Sequence, residues 1–305
     1  MSDAIAIDPV AHLRGLEAHL RRHIRGQDHV LPRIAAAFAR GALGVTSPDR
    51  PRGSFLLVGP TGTGKTETFA CATDYVFGPG HLVSFDMSEY QGDSAIDKLL
   101  GEHRDDPGLL GNALAGVAEG SVIFDEIEKA HPLVLDVFLQ ILWHGRATVA
   151  TGRTLRFGRF FVGFTSNIGA ADAIRMERSN LSGVERAVLR CVERELRPEL
   201  IGRIAERLVF ARLSPAVQRE ICALEVQREL ARLRGGGFDL RVSAAALEFL
   251  AREGFHPQLG ARPMRQTVER HLQDAVVRAL FTSGEANGEL VPTAQGARGL
   301  DIRRI

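Results

Sequence analysis

The chain has 305 residues, 45% of them apolar, and a formal net charge of +1. That is enough apolar material for one large core or two small ones, and the charge balance creates no global field for nucleic acid or an anionic membrane, leaving only local patches open. No uncharged apolar stretch approaches the roughly 18 residues a membrane helix needs, and Cys71, Cys191 and Cys222 show no C-x-x-C spacing, so neither a zinc motif nor a disulfide framework is expected and a reducing, cytoplasmic compartment is.

The opening Met1-Ser2-Asp3-Ala4-Ile5 lacks the basic segment and apolar run of a signal peptide, so none is expected. Leu13, Leu16, Leu20 and Ile24 recur at helical spacing and predict an N-terminal amphipathic helix. A second helix is expected from Asp28 to Leu43. Residues 44–53, with two prolines and a serine, read as a loop. The apolar run Phe55-Leu56-Leu57-Val58 predicts a strand, and Gly59-Pro60-Thr61-Gly62-Thr63-Gly64-Lys65-Thr66 follows it directly. This is a phosphate-binding loop, G-x-x-x-x-G-K-T, placed between a strand and a helix. Its glycines let backbone N–H groups converge on an anion, and Lys65 adds a point charge for β/γ-phosphates. Thr66 offers a hydroxyl to Mg²⁺, and the following helix presents its positive end.

Further strands are expected at 82–86, 121–125, 161–165 and 207–210, with helical stretches between them. Alternating strand and helix with apolar strands predicts a parallel sheet covered on both faces. The strand Ser121-Val122-Ile123-Phe124 ends in Asp125-Glu126. Asp125 is placed to hold Mg²⁺, and Glu126 to polarise an attacking water. Together the two motifs predict an enzyme that hydrolyses a nucleoside triphosphate. The pattern changes at Ser214-Pro215, an N-cap serine with proline at the first helical position. Helices are expected at 215–233, 243–253 and 262–282, with short strands at 239–242, 289–292 and 299–304. The predicted division is a large nucleotide-binding domain over 1–213 and a second, smaller, mainly helical domain over 214–305.

These residues resemble the AAA+ ATPases, and among them the second ATPase module of the Clp-type unfoldases and disaggregases. Gly26-Gln27 resembles the element beside the nucleotide base. Asp125-Glu126 through Lys129-Ala130-His131-Pro132 is similar to the family's extended Walker B segment, D-E-x-E-K-A-H-P. Thr165-Ser166-Asn167 is similar to sensor 1, Gly202-Arg203-Ile204 to the arginine-finger segment, and Gly260-Ala261-Arg262-Pro263 to sensor 2. The resemblance implies a five-stranded parallel P-loop sheet with helices on both faces, and makes the domain over 214–305 a C-terminal lid. It implies that Asn167 orients the attacking water and that Arg262 senses the γ-phosphate of its own subunit. It implies that Arg203 completes a neighbour's site. A ring follows from that last role, and the family makes it a hexamer acting on a protein substrate or partner complex.

Three departures shape the functional expectation. No Phe, Tyr or Trp occurs between Tyr90 and Phe124, where the family carries an aromatic pore loop. The corresponding stretch instead offers Glu102, His103, Arg104, Asp105 and Asp106, and Leu109 and Leu110 are expected to pack in the helix that follows. Residues 168–196 lack the Ile-Gly-Phe/Leu tripeptide by which ClpA-like proteins dock on the ClpP peptidase, so no ClpP coupling is expected. No first ATPase module or middle domain is present in these residues, which reads as a stand-alone module. The leading expectation is a chaperone-like ring ATPase that remodels a protein partner. The alternative is an ATP-gated assembly switch that recruits a specific complex; the charge balance gives no support to a nucleic-acid version of it.

Overall fold

The computed structural model describes residues 8–176, 180–256, 258–293 and 299–303. Its strands, in chain order, are β1 (Gly53–Val58), β2 (Leu82–Asp86), β3 (Gly120–Asp125), β4 (Arg146–Thr148), β5 (Thr154–Arg156), β6 (Phe160–Ser166), β7 (Glu206–Val209), β8 (Leu240–Val242), β9 (Gly288–Pro292) and β10 (Leu300–Arg303). The described residues divide into two compact units. One runs up to Pro60 and over Gly64–Arg212; the other holds Thr61–Thr63 and the residues from Leu213 onward.

In the first unit, five parallel strands pair in the order β2-β3-β6-β1-β7, as the alternating apolar pattern predicts. Successive residues of β1 point to opposite faces, and both faces are apolar. Leu56 and Val58 enter a core with Val122, Phe124, Val162, Phe164 and Phe138. Phe55 and Leu57 enter another with Leu16, Leu20, Phe38, Phe69, Ile123 and Phe161. A sheet with two apolar faces must be covered twice, and helices Pro132–His144 and Leu181–Glu195 serve one core while Leu16–His23, Leu31–Ala42 and Lys65–Phe77 serve the other.

Gly163 in β6 lies opposite Phe55, and a methyl group there would sit 2.9–3.1 Å from atoms of the Phe69 ring. The missing side chain lets the phosphate-loop helix lie against the sheet. Gly163→Ala therefore costs about 1–3 kcal/mol by overpacking. Equilibrium denaturation checks this, and an unchanged midpoint contradicts it.

The predicted N-terminal helix is two helices, Pro9–Arg14 and Leu16–His23. They break at Gly15, where a Cβ would lie 2.5 Å from the Tyr75 hydroxyl. The next helix starts at Leu31, later than expected, because a turn over Asp28–Val30 precedes it. The hairpin of β4 and β5 has too few residues to show a strand period in the sequence. Of the two leucines expected to pack, Leu110 is fully buried, but Leu109 is 43% exposed.

The second unit packs helices Pro215–Gly235, Ala244–Glu253 and Met264–Ser283 with a small sheet, order β10-β9-β8. Its core includes Cys222, Leu250, Val268, Leu272, Leu290 and Leu300. Ser214 Oγ accepts from Val217 N at 3.3 Å and Ser243 Oγ from Ala246 N at 3.1 Å, so both helix starts carry the serine caps their sequences advertise.

Candidate active site

Strands β3, β6 and β1 are neighbours and parallel, so their carboxyl ends share one edge of the sheet. Ligands of such sheets bind beyond that edge. The phosphate loop leaves β1 there. Gly59 adopts φ 149°, and a Cβ on it would lie 2.5 Å from the Phe210 carbonyl oxygen, so the turn needs glycine. Gly64 at φ 92° starts the helix Lys65–Phe77 with no side-chain cap, leaving the first-turn N–H groups available to an anion.

Lys65 is 8% exposed. Its Nζ donates to Gly59 O at 2.7 Å, Pro60 O at 2.9 Å and Asn167 Oδ1 at 3.0 Å. Burial pushes its pKa down to about 8, against the opposing pull of the Glu128, Asp125 and Glu126 carboxylates.

A chain of bonds ties the loop to the strand ends. Thr66 Oγ1 donates to Asp125 Oδ1 at 2.8 Å, and Thr165 Oγ1 donates to the same oxygen at 2.8 Å. Glu126 N donates to Thr165 Oγ1 at 3.1 Å, and Asn167 Nδ2 donates to Glu126 Oε1 at 3.3 Å. The pairing of Phe124 with Phe164 sets this up, because it brings the following residues, Asp125 and Thr165, side by side. Glu126 stands at φ 58°, alone among the described non-glycine residues in having a positive φ. That conformation costs on the order of 1–3 kcal/mol, of the kind held at functional sites. The Thr165 hydroxyl accepts its N–H, and the Asn167 amide holds its carboxylate.

The hydroxyl and carboxylate oxygens of Thr66 and Asp125 are hard donors of the type Mg²⁺ takes, and it keeps several waters besides. Glu128 adds a further acid. Its Oε1 accepts from Asn167 N at 3.0 Å, while its buried Oε2 has no hydrogen-bond partner among the described residues. The residues present thus fit a magnesium–phosphate ligand in donor type and charge.

The other expected residues stand apart from this network. Gln27 is fully buried, and its amide bonds both ways with the Ala211 backbone at 2.9 Å. Gly26, at φ 71°, makes the turn before it. Arg203 is held by Leu139 O at 3.3 Å, and its guanidinium lies 4.2 Å from the Trp143 ring centroid. Both line a cavity of about 450 Å³ with Arg40, Arg50 and Glu206. Arg262 is exposed in the second unit, just ahead of the helix Met264–Ser283; Thr61, Gly62 and Thr63 group with that unit. Three residues beyond the sequence-derived set matter here: Thr165, Glu128 and Trp143. The first two sit inside motifs already noted, T-S-N and D-E-x-E, and their spacing was the available signal.

Residues 50–207 match the family model described as AAA domain (Cdc48 subfamily), and residues 213–291 match the C-terminal, D2-small domain of ClpB protein. The chain is similar to chaperone protein ClpB 2 of Nostoc sp., 36% identical over 287 residues, which are 90% of this chain and 33% of that protein. The chaperone protein ClpB of Corynebacterium glutamicum is 33% identical over 300 residues, 96% of this chain and 34% of its own. Heat shock protein 100 of Trypanosoma brucei brucei is 35% identical over 277 residues, 88% of this chain and 32% of its own. The chain thus spans about a third of the length of the curated relatives it matches. Loop, strand-end acids, sheet order and both family matches converge: the chain belongs to the AAA+ ATPases, as a Clp-type module matching the C-terminal ATPase module of ClpB.

Proposed function

We propose that this module binds Mg-ATP, hydrolyses it at sites shared between subunits of a hexameric ring, and uses the cycle to remodel a specific protein partner without ClpP. The observation that carries the reading is the continuous bond path Thr66–Asp125–Thr165–Glu126–Asn167–Lys65. Lys65 and the loop N–H groups bind the β/γ-phosphates, Thr66 and Asp125 hold Mg²⁺, and Glu126 takes the proton of the attacking water. Bound Mg²⁺ neutralises charge on the phosphate oxygens. Asn167 orients that water through its amide. Arg203 reaches a neighbouring subunit, Arg262 senses the γ-phosphate within its own, and Gly26 with Gln27 shapes the wall beside the base. A cytoplasmic setting suits this chemistry.

The pKa of Lys65 gives the site a pH dependence. Phosphate binding needs the ammonium form, and Lys65 loses its proton as pH rises through about 8. ATP affinity is therefore flat below that pH and falls above it, by up to about tenfold per pH unit. Titration with a fluorescent ATP analogue between pH 7 and 9.5 checks this, with Lys65→Arg losing the dependence because its guanidinium stays charged. An affinity that rises with pH contradicts it.

The segment between helices Ala95–Leu100 and Gly108–Ala113 favours a partner-specific reading, including the assembly-switch alternative. Asp106 turns inward: Glu102 N and Gly108 N donate to its carboxylate at 3.1 and 2.9 Å, holding its pKa below the usual range. It shapes the loop and leaves Glu102, His103, Arg104 and Asp105 displayed at the tip, all exposed. Charged tips need matched partners, whereas aromatic grips work through area. Casein should barely stimulate the ATPase, and a tagged, stable fluorescent protein should unfold poorly. Robust unfolding that survives alanine at Glu102, Arg104 and Asp105, with Asp106 kept, contradicts the partner-specific loop.

A further inference from the structure

We propose that His19, His23 and Cys71 form a metal site for Zn²⁺ that staples helix Leu16–His23 to the helix carrying the phosphate loop. The sequence hides it, since the cysteine lies far from the histidines and has no C-x-x-C neighbour. The fold brings them together. His19 and His23 are one helical turn apart on Leu16–His23 and so share a face. Cys71 lies on Lys65–Phe77, whose side chains Cys71 and Tyr75 pack against the same core as Leu16 and Leu20. One donor atom from each of the three lies within 4.8 Å of the other two. Tetrahedral zinc, with Zn–S about 2.3 Å and Zn–N about 2.0 Å, needs donors about 3.5 Å apart. The difference from that spacing is small, and His23 is exposed and Cys71 half-buried.

The surroundings prepare the ligands. His23 Nδ1 lies 2.9 Å from His19 O, a carbonyl that can only accept, so Nδ1 carries the proton and Nε2 keeps its lone pair. This is the usual outer support of a zinc-binding histidine. His19 is fixed between two rings, with centroids 4.3 Å from His23 and 4.6 Å from Tyr75. His12 is engaged elsewhere: it stacks on Tyr75 at 4.4 Å and its Nε2 bonds Tyr75 O at 2.9 Å. One thiolate and two imidazoles suit Zn²⁺ and its surrogate Co²⁺, not the hard Mg²⁺ that the phosphate site takes. Binding forms a metal–sulfur bond and releases the thiol proton of Cys71. Three protein ligands leave the fourth position to water. Because the helix of Cys71 begins at Lys65, the metal would tether the loop-bearing element to helix Leu16–His23.

The test titrates Co²⁺ into the untagged chain in the presence of excess Mg²⁺. The expected result is a thiolate-to-cobalt charge-transfer band that saturates at one Co²⁺ per chain and is displaced by Zn²⁺. His23→Ala, at an exposed position, should weaken binding at least about tenfold; Cys71→Ser should abolish the band. In the parent protein, Zn²⁺ should protect Cys71 from alkylation, mapped by peptide mass spectrometry, which decides the matter even if a variant folds poorly. No band, a band surviving Cys71→Ser, unchanged binding by His23→Ala, or unprotected Cys71 would each overturn the site.

Discussion

Glu126→Gln binds Mg-ATP with the parent's affinity and turns it over at least about 100-fold more slowly. The size follows from general-base catalysis, which contributes roughly 10²–10⁴ in rate. The geometry makes the substitution clean. Glu126 uses its backbone N–H to hold Thr165 Oγ1, and that bond survives the change. The glutamine amide oxygen can still accept from Asn167 Nδ2, now at 3.3 Å from the carboxylate. Only the capacity to accept a proton is lost. Single-turnover hydrolysis and equilibrium nucleotide binding separate the two effects. Hydrolysis near the parental rate removes Glu126 as the base, and lost binding would mean that the variant disturbs the loop as well. The same variant, holding ATP without turnover, is the bait for capturing the partner.

Arg203→Ala retains nucleotide binding and loses about 10³-fold or more in turnover, the range for a finger that meets charge developing in the transition state. Within its own chain Arg203 is bonded to Leu139 O and lies over Trp143. A cation over an exposed ring is worth about 0.5–1 kcal/mol, so the variant should fold and the guanidinium can leave at small cost. Trp143 is the single tryptophan of the chain and is 47% exposed. Its fluorescence therefore reports the departure: ATP-driven assembly should change the emission of the parent and leave Arg203→Ala without that arginine-dependent change. Parental turnover by Arg203→Ala contradicts the assignment.

The candidate site is legible in the sequence where short-range spacing carries it. Lys65 and Thr66 follow β1, and Asp125 ends β3 with Glu126 directly after it, so a linear motif captures both. The alternation of apolar strands and helices likewise foretold the parallel sheet. What the sequence concealed depends on register and packing. Thr165 meets Asp125 because Phe124 pairs with Phe164, a match between strands roughly forty residues apart. Glu128 acts on Lys65 only because the chain turns sharply at Glu126. Asp106 reads as one more surface charge until its backbone donors are placed. Helical spacing likewise does not tell Leu109, which is exposed, from its buried neighbour Leu110.

The central claim is that each active site is completed by a second subunit, and mixing two inactive variants tests it most directly. Lys65→Ala lacks the loop cation and should lose at least about 100-fold in ATP affinity, about 2.7 kcal/mol. Arg203→Ala keeps its own loop and lacks the finger. In a mixed ring, an Arg203→Ala subunit receives an intact Arg203 from a neighbouring Lys65→Ala subunit. The account predicts ATPase activity in the mixture well above the sum of the two variants, rising with protein concentration as rings form. Activity no greater than that sum, in a mixture that light scattering shows to be assembled, would contradict it.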